Sequence, residues 1–325
     1  MVDRFVLSAP LRISEWARVA ERCRLEEYTR SGEIFYVSGK ESRFDALHIT
    51  IKDKGITIKG SLHKFYNRIK NGKADNSGMF TMEQAKEAFQ ILAEFSGVPL
   101  FECGKLTSYE IGYNIKTRSP AIEYIQKIQS IGVAKEPLLY EDIRFKKDRQ
   151  KSTRRDKNKR KYYKIYDKQY EVKLNQGREI PNTLRIETAY KRQSVKLADL
   201  LSREGIAKTE KHFIRSWQSV VFVREYSAKK GVKKSQADRA IQIKQNGKNA
   251  YLTEEKKRHT QGVITDKQYR ISKEFVRDFD TLHYDKVEER LSVEEIEYQN
   301  AVNQIYRAIK EVRNNEYTPK WSKGK

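Results

Sequence analysis

Three strings place reactive side chains among small or cationic neighbours: SYEIGYNI at 108–115, YKIYDKQYE at 163–171 and LRIETAYKR at 184–192. Read as strands, alternation sends Tyr109, Ile111 and Tyr113 to one face of the first string and Glu110 and Gly112 to the other. The third string divides likewise, Leu184, Ile186 and Thr188 lying opposite Arg185, Glu187 and Ala189. One carboxylate from each of two neighbouring strands is a hard-oxygen set suited to Mg2+ or Mn2+. The plain alternative is an exposed sheet face, on which Glu110 and Glu187 are ordinary solvated or salt-bridged charges. Tyr166 falls between Lys164 and Lys168, which the strand pattern sets on its own face. A phenol, with a reference pKa of about 10, needs a neighbouring cation or metal to act as a nucleophile at neutral pH. The same cations attract phosphate. Tyr166 is also one of 19 tyrosines, with Tyr162, Tyr163 and Tyr170 as neighbouring competitors, and packing a ring on a sheet is the bland use for it. His63 in GSLHKFYN (60–67) is a further candidate metal ligand or phosphate contact, with His48 across a hairpin as its candidate partner. A lone histidine more often serves packing.

The elements that must position these groups follow from periodicity. Leu11, Ile13, Trp16, Val19, Ala20 and Cys23 recur at helical spacing and predict an opening helix within 11–30. Ile34 to Val37 and Ala46 to Ile51 are short β-prone runs, and Asp53-Lys54-Gly55 predicts a hairpin with Gly55 in the left-handed region. Thr81 is a candidate N-cap for a helix over 82–96, whose Ala85, Ala88, Phe89, Leu92 and Phe95 share a face. A strand over Leu106 to Ile115 and a helix from Ser119-Pro120 to about Ile131 come next, then the alternating runs YYKIYDKQYEVKL and TLRIETAY. From Ser194 the pattern is mostly helical, at 194–203, 209–217, 233–245 and 286–312. Strands early and helices late predict an α+β domain over 1–205 and a mostly helical DNA- or partner-binding region over 206–325.

Charge narrows the partners. The 325 residues hold 67 Lys and Arg against 44 Asp and Glu, a formal +23 that attracts polyanions. The surplus is concentrated: residues 144–164 carry twelve Lys or Arg against Asp148 and Asp156. Arg154, Arg155, Lys159, Arg160, Lys161 and Lys164 are the candidate DNA contacts in this run, although such runs are often merely solvated. No apolar stretch approaches the roughly 18 residues of a membrane span, and Met1 to Pro10 lacks a secretory h-region. The expectation is a cytoplasmic protein with a nucleic-acid partner and no membrane. Cys23 and Cys103 form neither a disulfide framework nor a CxxC metal motif, and no GxxxxGK[ST] string indicates an NTPase. With 19 Tyr and 13 Phe the chain is not of disordered composition.

In order, GSLHKFYN, a helix, LTSYEIGYNI, a basic segment, KIYDKQYE and LRIETAYKR followed by LADLL resemble the rolling-circle replication initiators of filamentous phages and small bacterial plasmids. The resemblance covers roughly residues 45–205. It implies an HUH-endonuclease-like fold, a central antiparallel sheet flanked by helices, and an enzyme that nicks one DNA strand at an origin. It implies Tyr166 as the nucleophile that keeps the 5′-phosphate while the 3′-hydroxyl primes synthesis. Lys168 would hold the scissile phosphate or stabilise the leaving group, Glu187 and Glu110 would bind Mg2+ or Mn2+, and His63 would be a weaker third ligand. Single- and double-stranded origin DNA and a host helicase are the implied partners, inside a bacterial host cell. One departure stands out: the superfamily's pair of histidines separated by one residue is absent, since His48 is followed by Ile49-Thr50. A non-enzymatic DNA-binding initiator and an RNA-binding protein with a tyrosine stacking platform are the alternatives. A tyrosine recombinase lacks its constellation around His212, His259 and His283.

Overall fold

Phe5, Leu7 and Ala9 alternate into the core and make Val2–Pro10 a strand. The computed structural model describes residues 2–39, 44, 46–131, 140–141, 151–155 and 160–315. Lys159 and most of the basic run upstream of it lie outside the described residues. The opening helix is confined to Trp16–Cys23, ended by Arg24 at φ 52, and the chain enters a strand at Leu25 rather than continuing to residue 30.

The strands in chain order are β1 (Val2–Pro10), β2 (Leu25–Arg30), β3 (Glu33–Ser38), β4 (Leu47–Lys52), β5 (Gly55–Ser61), β6 (Lys105–Lys116), β7 (Ile128–Ile131), β8 (Tyr140–Glu141), β9 (Lys151–Arg155), β10 (Lys161–Asp167), β11 (Thr183–Tyr190) and β12 (Val195–Lys196). The helices among them are α1 (Trp16–Cys23), α2 (Leu62–Asn71), α3 (Met82–Ser96), α4 (Leu100–Cys103), α5 (Ala121–Lys127), α6 (Lys168–Gln176), α7 (Leu197–Leu200) and α8 (Arg203–Gln218). One large sheet runs β2-β3-β4-β5-β1-β6-β11-β10-β9-β8, with β12 added beside β6. Its recorded pairings are antiparallel. This is the α+β class with a central antiparallel sheet flanked by helices. The helix expected to reach Ile131 stops at Lys127, where the chain passes into β7.

Two local details decide the geometry of the site. The β4–β5 turn puts Asp53 (φ 51) and Lys54 (φ 61) in the left-handed region, and Gly55, expected there, instead begins β5. The turn is of the two-residue kind that matches strand twist. In β1, Val2 pairs with Ile111 and Phe5 with Tyr109, so Asp3 and Arg4 together stand opposite Glu110. That irregularity is a bulge, a device that re-aims side chains beside a functional cleft. The sheet face bearing Phe5, Tyr113 and Tyr163 is covered by Phe89 of α3 and by Phe213 and Trp217 of α8, with ring centroids 5.0 to 5.8 Å apart. The charged face lies opposite.

The chain divides into two compact units, 1–221 with 297–325, and 222–296. The boundary expected at 205/206 falls inside the continuous α8. After β13 (Val220–Phe222), the second unit contains β14 (Glu225–Ala228), α9 (Lys234–Asn246), α10 (Lys248–Thr260), α11 (Asp266–Arg277) and β15 (Val287–Arg290). β14 and β15 pair antiparallel, so the chain at 287–290 is strand where the helix predicted from 286 would have begun. Helix α12 spans Val293–Asn315. The second unit has its own core, in which Ala240, Ile243, Tyr251, Phe275 and Val287 are buried together.

Candidate active site

β6, β11 and β10 lie side by side, and their register sets the site. Lys164 pairs with Glu187 and Tyr166 with Arg185 across β10–β11. Glu187 pairs with Gly112 and Arg185 with Asn114 across β11–β6. Paired residues share a face, so these side chains converge with Glu110 on one side of the sheet. Glu110 is 5% and Glu187 2% exposed, so the face is not solvated there, while both carboxylates are salt-bridged as the plain alternative allowed. Gly112 is what lets them meet. A Cβ there would lie 2.7 Å from Glu187 Cγ and 2.8 Å from Arg185 Nη2.

The Tyr166 hydroxyl donates to Glu187 Oε1 at 2.9 Å. Arg185 Nε donates to the same oxygen at 2.9 Å, Nη2 to Asp3 Oδ2 at 2.9 Å and Nη1 to Asn114 Oδ1 at 3.0 Å. Asp3 also accepts from Ser61 Oγ at 2.5 Å and from Asn76 Nδ2 at 3.1 Å. The Lys164 ammonium bridges the two glutamates, 2.7 Å from Glu110 Oε2 and 2.5 Å from Glu187 Oε2. A pocket of about 240 Å³ opens over Tyr166, Lys164, Glu110 and Glu187. A second, of about 340 Å³, is lined by His63, Phe80, Gly112, Asn114 and Arg185.

Charge in this buried cluster is mutually compensated. Burial would raise the Glu187 carboxyl, but Lys164 and Arg185 overcome it and hold the group well below the ordinary carboxylate range. Burial disfavours the Lys164 ammonium, yet Glu187 and Glu110 keep it above the ordinary lysine range. Asp3 is lowered despite burial, chiefly by Arg185. Tyr166 goes the other way: burial, then the Glu187 charge, push its phenol well above the usual value.

The structure brings together Tyr166, Glu187, Glu110 and Lys164. His63 stands apart from the carboxylate pair: it lies on α2, is buried, and stacks on Phe80 at 4.5 Å. Burial lowers its pKa to about 4. His48 pairs with Lys59 and lies 3.4 Å from Thr50 Oγ1. Lys168 is not on the β10 face, because Asp167 caps α6 by accepting from the Tyr170 N–H at 2.9 Å and Lys168 is the first helical residue. Its ammonium is fully buried, 3.0 Å from Asn76 Oδ1 and 2.5 Å from Glu171. Of the basic run, Arg154 and Arg155 pair by backbone with Tyr163 and Tyr162. Arg160 is exposed, and Lys161 Nζ lies 3.4 Å from Ser216 Oγ and 4.9 Å from the Tyr163 ring centre.

Asp3, Arg185 and Asn76 complete the site and were not singled out as site residues from sequence. Arg185 had a signal, since it shares the Glu187 face; Asp3 had one only in being a carboxylate within an apolar alternating run. Glu110 and Glu187 are the oxygen donors that would hold a divalent cation, at a place the Lys164 ammonium now takes. Among the described residues no group of three or more His, Cys, Asp or Glu is arranged to hold a metal. Two carboxylates suffice for Mg2+, which commonly keeps its waters and takes substrate phosphate as further ligand.

No protein-family model matches the chain, and no curated protein matches it. Among solved structures it is similar to a rolling circle replication initiator protein from Geobacillus stearothermophilus, at 10% identity and a TM-score of 0.39, over 73% of this chain and 89% of that one. No helix among the described residues is long and apolar enough to cross a membrane.

Proposed function

We propose that the chain is a replication initiator that nicks one strand of origin DNA through Tyr166. The observation that carries this reading is the Tyr166 hydroxyl bonded to Glu187 at 2.9 Å within a cluster holding Lys164 and Arg185. In the reaction Tyr166 Oη, oriented by its hydrogen bond to Glu187 Oε1, attacks the scissile phosphorus and gives up its proton to water. The bond from phosphorus to the 3′-oxygen breaks, the electron pair leaves with that oxygen, and the oxygen takes a proton from water. The products are a 5′-phosphotyrosyl bond and a free 3′-hydroxyl, so the energy of the phosphodiester is retained for rejoining. Arg185, held from three sides, keeps Glu187 oriented. Lys168 serves as a positioning residue through Asn76, which itself fixes Asp3. Glu110 and Glu187 would hold Mg2+ or Mn2+, which supplies Lewis-acid neutralisation of phosphate charge when bound. The basic segment with Arg160 would lead single-stranded DNA to the pocket, and the 222–296 unit would meet duplex origin DNA or a host helicase.

One observation favours a second reading, a DNA-binding initiator without nicking: the phenol is raised far above neutral pH. The RNA-platform reading loses support because Tyr109 stacks on Tyr190 at 4.7 Å inside the protein and Tyr163 packs edge-on against Trp217. The deciding experiment incubates the protein with supercoiled plasmid bearing its origin and Mg2+ or Mn2+. Wild type is expected to give nicked circles with a detergent-stable protein adduct, and Tyr166→Phe neither. Origin binding without any nick would support the second reading, and a Tyr166→Phe variant that nicks like wild type would remove the tyrosine from the mechanism.

A further inference from the structure

The cation position between Glu110 and Glu187 is filled by the protein's own side chain. Lys164 Nζ approaches both carboxylates at 2.5 to 2.7 Å, and both are buried. Apart from this ion pair, Glu187 Oε2 has no hydrogen-bond partner among the described residues. A divalent ion and the ammonium therefore need the same oxygen atoms. We propose that Lys164 is the resident cation of this carboxylate pair and competes with Mg2+ or Mn2+ for it, so that the DNA-free protein disfavours metal until Lys164 is drawn away.

The physical basis is exclusion. With the ammonium seated, it occupies the oxygens of both carboxylates, and adding a divalent ion would crowd like charges at van der Waals distance. A metal can load only in the fraction of molecules in which Lys164 has swung out, and its apparent affinity falls by that fraction. An arriving phosphate is the natural competitor for the freed ammonium, because Lys164 lines the same pocket as Tyr166. Metal and DNA then become positively coupled through one side chain.

The site is the one to which nicking is ascribed above, but the test needs neither DNA nor activity, so loss of the nicking reading leaves it standing. Mn2+ binding to the full chain without DNA is followed by the electron paramagnetic resonance of free Mn2+. Lys164→Met, close in shape and uncharged, is expected to bind one Mn2+ at least about tenfold more tightly than wild type. That gain should vanish in Lys164→Met/Glu187→Gln, and Lys164→Arg should bind as weakly as wild type. Equal affinity of wild type and Lys164→Met overturns the proposal. Should Lys164→Met fail to give a native circular-dichroism spectrum, wild type alone decides. A micromolar Mn2+ site that Glu187→Gln removes overturns the proposal, and absence of such a site supports it.

Discussion

Glu187 is the residue on which the cluster turns, since it accepts from Tyr166 and Arg185 and is paired with Lys164. Glu187→Gln removes one charged partner from each of Lys164 and Arg185, which keep Glu110 and Asp3, and losing such a charged hydrogen bond typically costs about 1.5–3 kcal/mol. Chemical denaturation should register that drop together with loss of nicking, whereas DNA binding measured at low salt should survive. Acid acts on the same groups. A carboxyl held below its ordinary range stabilises the fold fully above that range, and the contribution is lost as pH falls from that range down through the group's lowered value. His63 acts in a higher window. Its pKa is lowered from 6.5 to about 4 by burial, with Arg185 opposing protonation and Asp3 and Asp75 favouring it. The unfolded chain therefore binds the extra proton first, and stability should decline as pH is lowered from about 6.5 to about 4. Unfolding midpoints across that range should slope in wild type and flatten in His63→Phe; an equal slope in both would remove His63 as the cause.

At the scale of elements, three strands hold the clustered side chains and a glycine spaces them. Gly112→Ala would press a methyl group against Glu187 Cγ and Arg185 Nη2, and overpacking of this kind costs about 1–3 kcal/mol. The variant should fold less stably and lose adduct formation more than origin binding, a split readable by comparing adduct yield with a binding isotherm. The strand pattern made this much legible in advance: alternation in SYEIGYNI and LRIETAY put Glu110, Gly112 and Glu187 on matching faces, and β10 was visible in KYYKIYD. What alternation could not reveal was pairing order. That β1 lies between β5 and β6 is a non-local fact, and the bulge that turns Asp3 towards Arg185 has no local signal. Lys168 was placed on the strand because Asp167 was read as its continuation; capping of the next helix by that aspartate overrode the alternation.

Over the whole molecule, charge and modularity set what can be measured. A +23 chain should show a DNA affinity that falls linearly with the logarithm of salt concentration, by about 0.7 per phosphate contacted in single strands. Replacing Arg154 and Arg155 together by Ala should reduce that slope by one to two contacts' worth, and an unchanged slope would place the contacts elsewhere. The second unit offers a separate check. Its core of Ala240, Ile243, Tyr251, Phe275 and Val287 is drawn from within 222–296. That fragment expressed alone should melt cooperatively by circular dichroism. Its helices at 248–260 and 266–277 were missed from sequence because charged residues dominate them and leave few apolar positions to mark a period.

The position of β1 in the sheet also bears on how the protein is made. Val2–Pro10 is made before its partners Gly55–Ser61 and Lys105–Lys116, so the strand has one neighbour missing until residue 61 is made and the other until residue 116 is made. Asp3 can reach Arg185 only after Thr183–Tyr190 has joined the far side of β6. Pairings so distant in sequence slow folding, and the buried cluster cannot assemble before Arg185 and Glu187 have been made. A nascent chain halted before residue 183 would carry β1 and Asp3 but neither Arg185 nor Glu187 of the buried cluster.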